Sequence, residues 1–289
     1  MIRLRIGGVS EHFNFPWHYA ISNNYFSDQG IELIWHDYAG GTGAMINALK
    51  NNELDMALLL TEGAINGIAN GGNFKIVQSY VNSPLIWGIH TSVKNNIASL
   101  SELNKMRYAV SKLGSGSHLM AFVHAKEKGQ TIAQEQMKVV NDLQGARNSL
   151  GLLETDIFFW EKYTTKPFVD SGELKRIGEF PTPWPCFVLV AQNHLLSIYG
   201  EMLETIRDTI VQSTKYLTAD LGKLADLISL KYNLKNTDSI DWLTTTTWAT
   251  NSKISEIILN KILIYLSELG MCSSPILAKD LVYDTTMLN

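Results

Sequence analysis

Short apolar runs alternate with helical patterns over roughly the first 180 residues, and this alternation limits the fold more than any other feature of the sequence. Ile31–Trp35 reads as a strand and Gly43–Lys50 as a helix with Ile46 and Leu49 turned inward. Leu54–Leu60 (LDMALLL) is almost unbroken in its apolarity, as expected of a strand covered on both faces. A helix at Glu62–Ala69 and strands at Phe74–Tyr80 and Leu85–His90 follow. The pattern then restarts: strand Tyr108–Ser111, helix Ser117–Lys128, strand Met137–Asn141, helix Leu143–Leu150, and strands Asp156–Phe159 and Leu174–Phe180. Alternation of this kind predicts an α/β chain with parallel sheets flanked by helices. The restart near residue 90 predicts a second, similar lobe.

Beyond Phe187–Gln192 the character changes. Leu203, Ile206, Ile210 and Leu217 recur at helical spacing, as do Ile254, Ile257, Ile258, Ile262 and Leu266. Amphipathic helices need a surface on which to bury their apolar stripe. The first lobe is the expected host, so the chain is expected to cross back near Pro183–Cys186. The predicted organisation is a discontinuous lobe of residues 1–87 and 185–289, with residues 88–184 as the second lobe. A length of 289 residues suits two such lobes.

Composition narrows the function classes. With 45% hydrophobic and 18% charged residues the chain has ample core material, which argues against disorder. A net charge of -4 supplies no basic footprint for nucleic acid. Cys186 and Cys272 form no CxxC pair, so neither a disulfide framework nor a structural zinc site is expected. No metal or cofactor is expected, and no apolar run reaches membrane-spanning length. The start, MIRLRIGG, alternates like a strand and lacks the apolar stretch of a signal peptide. A cytoplasmic protein follows if Met1 is the native start; a trimmed signal would place it in the periplasm or on a lipid anchor.

Two glycine-containing loops stand at helix starts. Gly40-Gly41-Thr42-Gly43 precedes one helix, and Lys112-Leu113-Gly114-Ser115-Gly116-Ser117-His118 lies at the corresponding place in the second lobe. The first N–H groups of a helix point outward without partners and favour anions. Ser115, Gly116, Ser117 and His118 are therefore candidate contacts to a carboxylate, sulfonate or phosphate; alternatively Ser115 or Ser117 only caps its helix. Thr61 and Glu62 close the LDMALLL strand, where open α/β sheets place ligands. Trp160 and Glu161 close another strand, and Trp160 and the Pro183-Trp184-Pro185 corner either offer stacking faces or pack in the core. His12, with Phe13, Phe15, Trp17 and His18, follows the first strand and suits the wall of a cleft. There is no HExxH, no GxSxG elbow and no clustered acidic triplet, which favours a binder over an enzyme.

The segments NNYFSDQGIEL, GGTGAMINALKNNELDMALLLTEG, LSELNKMRYAVSKLGSGSHLMAFVHAKEKG and TDIFFWEKYTTKPF together resemble the type II periplasmic-binding-protein superfamily. The similar branch contains sulfonate-, taurine- and thiamine-pyrimidine-precursor-binding proteins. YVNSPLIWGI, KLGSGSHLMAF, FFWEKYTTK and GELKRIGEFPTPWP are similar to a signal-less, thiamine-biosynthesis-like subgroup from fungi and bacteria. The resemblance implies two α/β lobes joined by two crossover strands, with a small anionic or aromatic ligand held between them by hinge closure. By motif position, Thr42, Thr61, Ser115, Ser117, His118 and Trp160 correspond to cleft-facing places. It also implies an ABC transporter as partner, an expectation that the missing export signal opposes. The alternative is a cytosolic enzyme on the same fold, of thiamine-pyrimidine or futalosine–menaquinone type, with His118 or Glu62 as acid or base. A regulatory effector-binding domain acting with a partner chain is a third reading.

Overall fold

The computed structural model describes residues 1–97, 100–272, 276–284 and 288–289. Strand β1 (Ile2–Gly8) leads through a short 3-10 turn into α1 (Phe15–Ser22), followed by β2 (Ile31–Asp37), α2 (Gly41–Lys50), β3 (Met56–Leu60), α3 (Thr61–Ala69) and β4 (Phe74–Val81). Next come β5 (Ile86–Ser92), β6 (Tyr108–Val110), α4 (Gly116–Glu127), β7 (Met137–Val139), α5 (Leu143–Gly151), β8 (Ile157–Glu161), α6 (Lys166–Asp170) and β9 (Leu174–Pro181). The chain ends with β10 (Phe187–Gln192), α7 (Asn193–Thr218), α8 (Leu221–Tyr232), α9 (Asn236–Thr245), α10 (Glu256–Glu268) and α11 (Ala278–Leu281).

These elements form two compact units. The first holds residues 1–38, 45–83 and 184–289, and the second holds 39–44 and 84–183. The first sheet runs β2-β1-β3-β10-β4 and the second β7-β6-β8-β5-β9. Neither is purely parallel, contrary to the expectation from alternation. β10 runs antiparallel to β3 and β4, and β5 runs antiparallel to β8 and β9. The parallel, right-handed rule acts on strands joined through a helix. β10 follows β9, and β5 follows β4, with only a short link between them, so that rule does not bind them.

The first unit buries β3 and β10 along their whole lengths. Helix α7 packs on α1, β4 and β10, and buries Leu203, Ile206, Ile210 and Leu217 as the spacing predicted. In α10 the inward residues are Leu259, Ile262 and Leu266, whereas Ile257 is 78% exposed. Ile254 precedes the helix, so the predicted stripe was one of mixed phase. The second unit centres on Ala109, Val140, Ala146, Leu150, Phe158 and Leu174. Its strand β7 stops at Val139, earlier than the predicted Asn141, which sits at φ 71° in the left-handed region that ends an extended run.

The two units repeat one device. In the first, Asp55 before β3 accepts the Arg5 N–H at 2.8 Å and the Arg5 guanidinium at 2.7 and 3.0 Å, and returns its own N–H to the Arg5 carbonyl at 2.9 Å. In the second, Asp156 before β8 does the same with Arg107, at 2.9, 2.9 and 3.0 Å, and returns its N–H at 2.8 Å. Each clamp ties the start of one parallel strand to its neighbour. Burial pushes both carboxyls up, but the arginine hydrogen bonds outweigh it and hold both below the usual aspartate value. Their stabilisation is therefore present above that value and lost as pH falls through the lowered one. Asp156→Ala should cost about 1–3 kcal/mol at neutral pH. In urea unfolding the deficit should shrink in acid; a deficit that persists unchanged there would contradict the clamp.

Candidate functional site

In the second unit the segment between β6 and α4 folds on itself. The Ser111 N–H donates to Ser117 Oγ at 2.9 Å, and the Lys112 N–H to Ser115 Oγ at 3.3 Å. Ser115 Oγ lies 3.1 Å from Ser117 Oγ, and Ser111 Oγ lies 3.4 Å from it. All three serines are buried. Ser115 occupies the N-cap position of α4, yet no side chain caps the helix. The capping expectation is thus corrected: the serine hydroxyls bond to the loop and to each other. The first intrahelical bond runs from the Leu119 N–H to the Ser115 carbonyl at 2.9 Å. The N–H groups of Gly116, Ser117 and His118 accordingly stand at the helix start beside a cluster of hydroxyls.

His118 has a defined tautomer. Its Nδ1 accepts the Gly114 N–H at 3.0 Å, so the ring proton sits on Nε2, 3.0 Å from Gln134 Oε1. Burial lowers its pKa, in agreement with a neutral ring. Gly114 itself adopts φ 80°, which a residue with a side chain rarely tolerates. His118 therefore shapes the loop; it is not a free imidazole.

Residues 39–44 belong to the same compact unit. A methyl group placed on Gly43 would lie 3.9 Å from Ser115 Cα and Cβ, so the start of α2 abuts the start of α4. Thr42 is buried there. Trp160 is half-buried and stacks on Phe158 with ring centres 5.2 Å apart, while its indole N–H has no partner among the described residues.

In the first unit Thr61, Glu62 and Trp184 come together at the start of α3. Thr61 donates its hydroxyl to the Pro185 carbonyl at 2.7 Å. Glu62 is fully buried and accepts the Trp184 indole N–H at 2.7 Å through Oε2, while Oε1 has no partner among the described residues. Burial pushes its carboxyl up to about 7 against the smaller opposing effect of that hydrogen bond. Trp184 is only 3% exposed and meets the Tyr265 ring edge-on at 5.6 Å, so of the two readings, stacking face or core residue, it is a core anchor. His12 lies apart from this trio, 4.2 Å from the Trp242 ring centre, with a pKa lowered by burial to about 3. Phe13, Phe15 and Trp17 are likewise core.

Sequence reasoning did not pick out Ser111 or Gln134. Ser111 stands six residues before Ser117, a local spacing that could have signalled it. Gln134 could not have been paired with His118 by any local rule. Glu161 is buried, accepts the Tyr163 and Thr164 N–H groups at 2.9 and 2.6 Å, and is raised by burial to about 7. Among the described residues no group of three or more His, Cys, Asp or Glu could hold a metal, and no helix is long and apolar enough to cross a membrane.

Residues 87–180 match the model of the Ca3427-like PBP family. No curated protein matches the sequence. Among solved structures, the Candida albicans CA3427 gene product, described as having the generic periplasmic binding protein fold, superposes with a TM-score of 0.90 at 25% identity over 100% of this chain and 96% of that one. The alkanesulfonate-binding protein SsuA of Xanthomonas axonopodis pv. citri, bound to MOPS, gives 0.81 at 12% identity, covering 98% of both chains. The aliphatic sulphonate binding protein SsuA of Escherichia coli gives 0.72 at 13% identity, covering 98% of this chain and 92% of that one. The chain has the periplasmic-binding-protein fold, with a helical C-terminal region.

Proposed function

We propose that this protein binds a small organic anion, a sulfonate, carboxylate or phosphorylated pyrimidine-like molecule, and that the start of α4 holds its charged group. The observation that carries the reading is the uncapped helix start next to the Ser111–Ser115–Ser117 hydroxyl cluster. Three N–H groups with the positive end of the helix dipole behind them form an anion cradle. The hydroxyls can turn to donate to the same group. The start of α2 at Gly41–Thr42 adds a second set of N–H groups close by. SsuA proteins on this fold bind sulfonates, which supports the class of ligand. Closure of the two units around the ligand is part of the proposal.

The test is a thermal-shift screen of the full chain against simple sulfonates, including MOPS, and against phosphorylated pyrimidines and aromatic carboxylates. A ligand that binds the folded state raises the melting temperature. Ser117→Ala should weaken the ligand so found by about 1–3 kcal/mol, because a charged group loses a hydrogen bond. An undiminished affinity, or no shift with any anion, would overturn the reading.

A further inference from the structure

A lysine stands at the anion cradle of α4. Lys112 is half-buried, and its backbone is fixed from both sides by Ser115. Its N–H donates to Ser115 Oγ at 3.3 Å, and its carbonyl accepts the Ser115 N–H at 3.1 Å. From there the side chain runs along the start of α2. A methyl group placed on Gly43 would lie 3.8 Å from Lys112 Cβ, and one placed on Gly40 would lie 3.5 Å from both Cε and Nζ. The ammonium therefore sits against the glycine turn that opens α2. Residues 39–44 and the loop carrying Lys112 belong to one compact unit.

This placement runs against the helix dipoles. The N-terminal end of a helix is its positive end, where anions are favoured and cations are not. Residues 39–44 and 111–118 contain no acidic side chain that could offset the lysine. Among the described residues the Lys112 ammonium takes part in no hydrogen bond or ion pair. The starts of α2 and α4 each contribute about half an elementary charge, so with the ammonium the site presents about two positive charges. A singly charged ligand would balance only half of that.

We propose that Lys112 sets the specificity of this site, selecting a phosphate monoester or a phosphonate over a sulfonate or carboxylate. The inference rests on the α4 start being the anion site. A phosphoryl group brings about 1.5 to 2 negative charges to one tetrahedral head at neutral pH. A sulfonate or sulfate ester has the same tetrahedral shape and a single charge. Shape and hydrogen bonds alone do not separate the two, whereas a fixed cation does. Lysine supplies a point charge that suits a phosphoryl group.

The probes are methyl phosphate and methyl sulfate, which match in shape and differ in charge, titrated calorimetrically into the full chain at neutral pH. Methyl phosphate should bind saturably and at least about tenfold tighter than methyl sulfate. Coulomb energy scales with ligand charge, so Lys112→Met should weaken methyl phosphate about tenfold and methyl sulfate only about threefold. Lys112→Arg keeps the charge and should restore most of the preference. Equal affinity for the two ions would overturn the role of Lys112. So would a Lys112→Met protein that keeps the parent's ratio of the two affinities. In either case the cradle itself stands if Ser117→Ala still weakens both ions. If Ser117→Ala leaves both affinities intact, or neither ion binds in the millimolar range, the cradle fails and the specificity inference falls with it.

Discussion

Replacing Trp184 by alanine should destabilise the first unit by about 3–5 kcal/mol, the usual cost of emptying a buried aromatic site. The indole is 3% exposed, packs edge-on against Tyr265 and gives its N–H to Glu62 at 2.7 Å. The variant thus loses packing and also strips Glu62 of its hydrogen bond. Trp184→Phe separates the two effects. It keeps most of the apolar bulk and removes the N–H, so it should lose about 1–3 kcal/mol for the unpaired acceptor. Urea unfolding of the three proteins at one pH gives the ordering. An alanine variant within about 1 kcal/mol of the parent would mean that the segment after Pro183 is not anchored by its tryptophan.

Glu62→Gln should change how stability depends on pH. The Glu62 carboxyl is raised from its ordinary 4.5 to about 7 by burial. The folded state therefore holds the proton more tightly than the unfolded chain does. The stabilisation from the protonated form is full below the unfolded value and is lost as pH rises through about 7. A difference of that size corresponds to about 3 kcal/mol across the window. Glutamine keeps the acceptor for Trp184 and cannot ionise. Relative to the parent, the variant should gain stability steadily between about pH 4.5 and 7 and hold a constant advantage above. Glu161, raised in the same direction, remains in both proteins, so the difference between the two curves isolates Glu62. Parallel stability curves would show that Glu62 is already ionised in the folded protein.

How much of this was legible in the sequence depends on the distance over which each feature is decided. Strand β10 could be read with its true ends, because Phe187–Gln192 is a compact apolar run. Its direction could not, since pairing against β3 and β4 is settled by the return of the chain from the second unit. The α4 loop was legible as a tight turn into a helix from glycines and serines spaced within a few residues. The actual partners of its hydroxyls were not, because Ser117 turns to Ser111 in place of capping α4. The sequence left Trp184 between a stacking face and a core residue, because prolines flank it. Its partner Glu62 lies 122 residues away, and no local pattern links the two. His12 could be placed no better, between cleft wall and core, because its aromatic neighbour Trp242 comes from α9. The paired clamps, Arg5 with Asp55 and Arg107 with Asp156, are the structural counterpart of the repeat visible in the alternation.

The most direct measurement is an amide-resolved NMR titration of the protein with small organic sulfonates, phosphonates and carboxylates. If the α4 start holds the anion, the N–H resonances of Gly116, Ser117 and His118 move saturably with at least one of these classes, and Ser117→Ala weakens the response. If a tight ligand leaves those three resonances in place while shifting others, the anion cradle of α4 is not the binding site.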